Sequence, residues 1–292
     1  MKRVSVSRRE ILRGAIAVSA ATLAPTIAGL SKAWAGQDTL KRLRSQGFAR
    51  IAIANEPPWT EVTAGGKVTG AAPEVARAVL KRLGIPEIVA SISEYGAMIP
   101  GLQARRFDLV AAGLFIKPER CRAVIFSQPD LCDAESFAVK KGNPLGVQSY
   151  ADIAKHATAR VGVPGGGTEE KLALKAGVPR NRVIVAPDAQ SGLKMLQNGR
   201  IDIYALPILS ISALLKKAKD PNLVMIAPVK GTPVYCAGAA FNKEDKALRD
   251  AYDAELAKLK KSGEFAKIIE PYGYSAKAPD LTSRDKLCGG PN

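Results

Sequence analysis

The chain has 292 residues, 47% of them hydrophobic and 24% charged, an ordinary balance for a globular protein and enough length for two lobes with their own cores. Its formal charge of +16 is carried by lysines and arginines interleaved with acids and not grouped with aromatics, which favours a solvated surface and argues against a nucleic-acid partner. Lys2, Arg3, Arg8, Arg9, Arg13 and Lys32 against Glu10 place +5 of that charge in the first 35 residues.

That N-terminal stretch reads as an export address. Ser7-Arg8-Arg9-Glu10-Ile11-Leu12 opens it, a modestly apolar run extends from Gly14 to Leu30, and Ala33-Trp34-Ala35 closes it. The pattern predicts a twin-arginine signal peptide over 1–35, cleaved after Ala35, and release into the periplasm. An uncleaved anchor is disfavoured, because about 20 apolar residues are needed to cross a bilayer and Pro25 interrupts this run. In an oxidising compartment Cys121, Cys132, Cys236 and Cys288 point to two disulfides and not to a metal: they are even in number, lack Cys-x-x-Cys spacing and have only His156 as a histidine co-ligand. Spacing alone leaves three pairings open. His156 itself is expected to be exposed, and no cofactor is called for.

In the mature chain, alternation over Phe48–Ala54 predicts a strand, and the segment from Gly70 to Gly84 a helix with Pro73 in its first turn and Val75, Val79, Leu80 and Leu83 on one face. A strand over Ile88–Ser93, a helix around Met98–Gln103 and a buried strand over Phe107–Gly113 follow. Further units repeat the alternation: a strand at Arg160–Val163, a helix over Thr168–Ala176, a strand at Val183–Ala186, a helix over Gln190–Gln197 and a strand over Ile201–Leu206. Alternating β and α units imply mainly parallel sheets flanked by helices. Leu102–Ala111 (LQARRFDLVA) echoes Leu196–Ala205 (LQNGRIDIYA), as two similarly built lobes would require. A final strand and two helices follow, with Leu248, Tyr252, Leu256 and Leu259 on one face. Crossing strands near Asp130–Ser136 and Thr232–Gly238 are the expected hinge. The organisation predicted is lobe I from 36–131 plus 238–292 and lobe II from 132–237, with a ligand held in the cleft between them.

The stretch VGVPGGGTEEKLALKAG, Val161–Gly177, adds a chemical clue. Gly165, Gly166 and Gly167 allow close backbone approach, and the helix that follows aims free N–H groups and a positive dipole end at whatever the loop holds. A P-loop would continue with Gly-Lys-Ser/Thr; here Thr168 is followed by Glu169 and Glu170, so a small or zwitterionic solute suits the loop better than a nucleotide. Thr168 equally fits a plain helix N-cap.

Taken together, PGLQARRFDLVAAGLFIKPERCRAVIFSQP, GVPGGGTEEKL, GRIDIYALP and LKKSGEFAKIIEPYG resemble the family 3 solute-binding proteins of ABC importers, over nearly the whole mature chain. ANEPPWTEV and GKVTGAAPEVARAV are similar to the ectoine and hydroxyectoine binders within that family. The resemblance implies a two-lobed, type II periplasmic binding fold that closes on its solute, works as a monomer and passes the solute to a membrane permease. It places the carboxylate-binding arginine at Arg120, where Gly166, Gly167 and Thr168 would add N–H groups and a hydroxyl. It also implies the disulfides Cys132–Cys236, on adjacent hinge strands, and Cys121–Cys288.

At the other end of the solute, Glu56 sits before two prolines and suits a cationic amidinium-like ring, with Glu169 as a second carboxylate. Trp59, Tyr95 and Phe115 come from three strand-to-helix junctions and form a cage of aromatic faces. Core packing is the alternative for Tyr95 and Phe115; for Trp59, in a loop, burial in a core is less natural. In amino-acid binders of the family an Asp at the end of the strand after Gly-Arg-x-Asp grips the α-ammonium, and by register that place is Pro207. The reading is therefore a non-enzymatic binder of ectoine-type zwitterions. A polar amino-acid binder is the nearest alternative, and a dehydratase-like enzyme using Glu56 or Glu169 is a further one.

Overall fold

The computed structural model describes residues 31–290; the twin-arginine motif and the apolar run up to Leu30 lie outside them. Helix α1 (Ser31–Gln46) runs through the position after Ala35, and Gly47, at φ 79°, ends it and turns the chain into β1 (Phe48–Ile53). A small hairpin, β2 (Glu61–Val62) and β3 (Val68–Thr69), precedes α2 (Ala71–Arg82), β4 (Glu87–Ile92), α3 (Tyr95–Gln103), β5 (Leu109–Val110), the one-turn α4 (Pro118–Cys121) and β6 (Ile125–Phe126). The chain then crosses over through β7 (Leu131–Asp133).

The second half comprises β8 (Glu135–Lys140), α5 (Tyr150–Lys155), β9 (Val161–Pro164), α6 (Thr168–Lys175), β10 (Val183–Ala186), α7 (Ala189–Gln197), β11 (Ile203–Pro207), α8 (Ile208–Ala218) and β12 (Leu223–Ile226). It returns through β13 (Tyr235–Ala237) to β14 (Ala240–Phe241), α9 (Lys246–Lys261), α10 (Glu264–Ile269) and α11 (Arg284–Leu287).

Two five-stranded sheets result, in the orders β4-β1-β5-β14-β6 and β10-β9-β11-β8-β12. In each, one strand runs against the others: β14 is antiparallel to β5 and β6, and β8 to β11 and β12. These are the strands that the chain enters from the two crossings, so their reversal follows from the direction of entry. The crossings themselves pair antiparallel, with Cys132 opposite Cys236. Disulfides join Cys132 to Cys236 and Cys121 to Cys288.

The amphipathic patterns pack as their spacing requires. Val75, Val79, Leu80 and Leu83 of the α2 segment join Leu248, Tyr252, Leu256 and Leu259 of α9 in one core, and a separate core built on Phe137, Val161, Val163 and Ile203 fills the second lobe. The sequence echo has a physical counterpart. Asp108, at the entry to β5, accepts the backbone N–H and guanidinium of Arg50; Asp202, at the entry to β11, accepts the same two groups of Arg160. Each lobe is thus tied at the matching corner by an arginine–aspartate brace.

Two expectations need correction here. The strand expected over Phe107–Gly113 is only Leu109–Val110 long, because Gly113, at φ 71°, turns the chain beneath the Trp59 ring. His156 is half-buried, its Nε2 within 2.8 Å of the Leu145 carbonyl oxygen, and not exposed.

Candidate ligand-binding cleft

Glu56 follows β1 in a tight turn. Its backbone N–H donates to Thr60 Oγ1 and its carbonyl accepts from the Thr60 N–H. The first N–H groups of α2, those of Ala71 and Ala72, donate to the carbonyls of Pro58 and Trp59, so the helix start anchors the Trp59 loop. Tyr95 opens α3, Phe115 lies between β5 and α4, and Arg120 sits on α4; Gly167, Thr168 and Glu169 come from the β9–α6 junction of the facing lobe. These eight residues, with Gly113 and Pro207, line one cavity between the lobes. Pro207 is the last residue of β11 and offers the cavity neither charge nor N–H.

The ninth predicted residue, Gly166, is not among the residues lining this cavity. Its N–H donates to Glu170 Oε2 at 2.6 Å, and it lies against Gly96 of the first lobe, Gly96 N–H donating to Gly165 O at 3.1 Å. Gly166 therefore takes part in the contact between lobes, with its N–H engaged by Glu170. The Gly167 N–H is also engaged, by Pro164 O at 3.1 Å. Thr168 is not the helix cap: Gly167 holds that position without a side-chain bond, and the Thr168 hydroxyl is buried with no partner.

The two ends of the cavity differ in charge. Arg120 is buried, 5% exposed; its guanidinium donates to Phe115 O at 3.0 Å and to Gly166 O at 3.5 Å. Among the described residues no carboxylate oxygen comes within ion-pair distance of it. Burial pulls its pKa below the usual arginine value, opposed by the field of Glu169. Lys117 lies nearby over the Tyr235 ring, 4.4 Å from its centre, and burial with the charge of Arg120 brings it down to about 8. Glu169 folds back so that its carboxylate accepts its own and the Thr168 backbone N–H; burial still raises its pKa. It occupies the start of α6, lines the same cavity as Glu56, and its charge is felt there.

Glu56 forms the opposite end. Ser210 Oγ of the facing lobe donates to its Oε1 at 2.6 Å, and the Tyr95 hydroxyl lies 3.3 Å from its Oε2. Burial, reinforced by the charge of Glu169, raises its pKa to about 8, against the hydrogen bonds of Ser210 and Tyr95. Aromatic faces line the same cavity. Phe115 stacks on Tyr235 at 5.2 Å, and Trp59 stands edge-on to Phe115 at 5.6 Å and to Tyr274 at 4.9 Å. Trp59 is 1% exposed and belongs to the first lobe's core as well as to the cavity wall, which corrects the expectation that its loop keeps it out of the core. A Cβ at Gly113 would meet its ring at 2.2 Å, so the seat of the indole demands glycine there.

Sequence reasoning missed Gly113, Ser210, Tyr235 and Tyr274. Only the proximity of Ser210 to Pro207, a predicted strand end, was a signal; Gly113 lines the cavity, and Tyr235 and Tyr274 back its aromatic wall through Phe115 and Trp59, by tertiary packing alone. Among the described residues no group of His, Cys, Asp and Glu is placed to hold a metal.

The hinge, the paired sheets and a closed cleft between them define a two-lobed solute-binding protein. The chain belongs to the bacterial extracellular solute-binding proteins, family 3, whose profile matches residues 49–275. It is a binder and not an enzyme. It is 36% identical over 269 residues to the probable amino-acid ABC transporter periplasmic-binding protein y4tE of Sinorhizobium fredii, covering 89% of each chain. The crystal structure of EhuB in complex with hydroxyectoine is 70% identical in sequence, with a TM-score of 0.86 over 87% of this chain and 98% of that one. An ancestral arginine-binding protein bound to arginine is 28% identical, with a TM-score of 0.69 over 77% of this chain and 98% of that one.

Proposed function

We propose that this protein is the periplasmic receptor of an ABC importer for ectoine-type compatible solutes. The observation that carries the reading is the polarity of the cavity: a buried guanidinium without an anion and an unpaired Thr168 hydroxyl at one end, a buried carboxylate ringed by aromatic faces at the other. A buried unpaired arginine is costly, and a solute carboxylate completes it through two parallel hydrogen bonds. A ring that spreads its positive charge lies against Trp59, Tyr95 and Phe115 and meets Glu56. Pro207 disfavours a free α-ammonium, which would enter the cleft without its acidic partner. The likeness to the hydroxyectoine complex supports the solute class, and the export signal over 1–35, with cleavage after Ala35, supports the compartment. The protein acts as a monomer that hands its solute to the permease and has no nucleic-acid partner.

Titrating ectoine against the wild type and Glu56→Gln while following tryptophan fluorescence tests the cation end. Removing one partner of a buried charge pair typically costs ~2–5 kcal/mol, so Glu56→Gln should bind at least about thirtyfold more weakly with an unaltered circular dichroism spectrum. Normal binding by Glu56→Gln would mean that the solute's charge lies elsewhere.

A further inference from the structure

The cavity wall holds a polar atom for which the reading above has no use. Trp59 Nε1 is fully buried and has no hydrogen-bond partner. Buried indole N–H groups ordinarily find an acceptor, and an orphaned one is a standing cost to the folded state. The ring is not free to swing toward one. Its six-membered edge presses on Gly113, Phe115 and Tyr274 hold it edge-on, and the α2 start fixes its backbone through the Ala72 N–H. Among the described residues none gives it an acceptor, which leaves a molecule bound in the cavity that Trp59 lines.

On the proposed binding mode, on which this inference rests, the solute carboxylate is committed to Arg120 and Thr168 in the facing half of the cavity. Trp59 is three residues from Glu56 in sequence and lines the same cavity. A donor and a carboxylate lining one cavity are the pairing that a hydroxyl needs, since a hydroxyl accepts one hydrogen bond and donates another. The carboxylate alone would attract the ring's charge; the indole N–H adds nothing for a ring without an acceptor. We propose that Trp59 Nε1–H donates to a hydroxyl on the solute ring, which makes Trp59 the residue that sets preference for a hydroxylated cyclic zwitterion over its unsubstituted parent.

The test is calorimetry with hydroxyectoine and ectoine on three proteins: the wild type, Trp59→Phe, and a protein carrying benzothienylalanine at position 59, which keeps the indole's shape with sulfur in place of N–H. The wild type should prefer hydroxyectoine about five- to tenfold, the worth of one net hydrogen bond. The benzothienylalanine protein should bind ectoine within about twofold of wild type and lose the preference; Trp59→Phe should lose it too, whatever its overall affinity. A preference that survives both replacements, a wild type that does not discriminate, or equal weakening of both solutes by the sulfur analogue overturns the assignment. A wild type that binds neither solute overturns the parent reading instead, so the two failures are distinguishable.

Discussion

Gly166→Ala separates the roles of the glycine loop. Gly166 has φ 69°, and a Cβ there would sit 2.3 Å from Gly96 Cα and 2.4 Å from Gly96 N, both backbone atoms of the opposite lobe. That is about 1 Å short of comfortable contact, and a backbone neighbour cannot swing aside. The left-handed backbone costs alanine about 1–2 kcal/mol, but the open and closed forms share that penalty, so it lowers thermal stability without entering the affinity. The clash exists only when the lobes are closed. Relieving it parts the Gly96–Gly165 hydrogen bond and lengthens the Arg120 contact to Gly166 O. At about 0.5–1.5 kcal/mol for each net hydrogen bond, closure should be weakened by about 1–3 kcal/mol and Kd raised about 5- to 150-fold. Calorimetry gives Kd, and small-angle scattering with saturating ectoine should show a less compact complex than wild type. An alanine variant that bound within twofold of wild type and closed fully would refute the claim that Gly166 is the point where the lobes meet.

Three further outcomes follow from the same structure. Burial raises Glu56 to about 8, Asp130 to about 7 and Asp133 to about 6 in the folded protein, above ordinary carboxylate values. The native state then holds more protons than the unfolded one across that range, so the stability of the solute-free protein should fall as pH rises from 5 to 8; a melting temperature rising over that interval contradicts it. Non-reducing peptide mapping should yield Cys121–Cys288 and Cys132–Cys236, and crossed pairs or free thiols reject the pairing. Changing Arg8 and Arg9 to lysine should leave precursor in the cytoplasm, whereas a normal periplasmic yield would point to another export route.

Much of this arrangement is written locally. The strand and helix periods, the Pro118 and Gly84 boundaries and the Asp108/Asp202 echo are short-range signals, and each lobe repeats them. Helix α8 is less legible because Pro207 joins it directly to β11, so that its apolar residues merge with the strand's. Strand β8, buried on all but its last residue, shows no alternation to count. Within the cavity, the family resemblance pointed to Arg120, and residue type pointed to Glu56 and the aromatic set, since a carboxylate before two prolines and aromatics at loop junctions are chemically conspicuous. The turn of Gly166 away from the cavity, the burial of Trp59 and the Ser210 bond to Glu56 depend on how two lobes meet, and no local pattern encodes that.

Calorimetric titration of the mature protein with ectoine, hydroxyectoine, glutamine, arginine and histidine tests the central claim most directly. An anion-seeking Arg120 at one end, and an aromatic cage with Glu56 but no ammonium partner at Pro207, should give micromolar or tighter binding of at least one of the two cyclic zwitterions. Binding of every amino acid should be weaker by about a hundredfold or more, a gap of roughly 2.7 kcal/mol. An amino acid bound as tightly as the better cyclic solute would contradict the account and make this a polar amino-acid receptor.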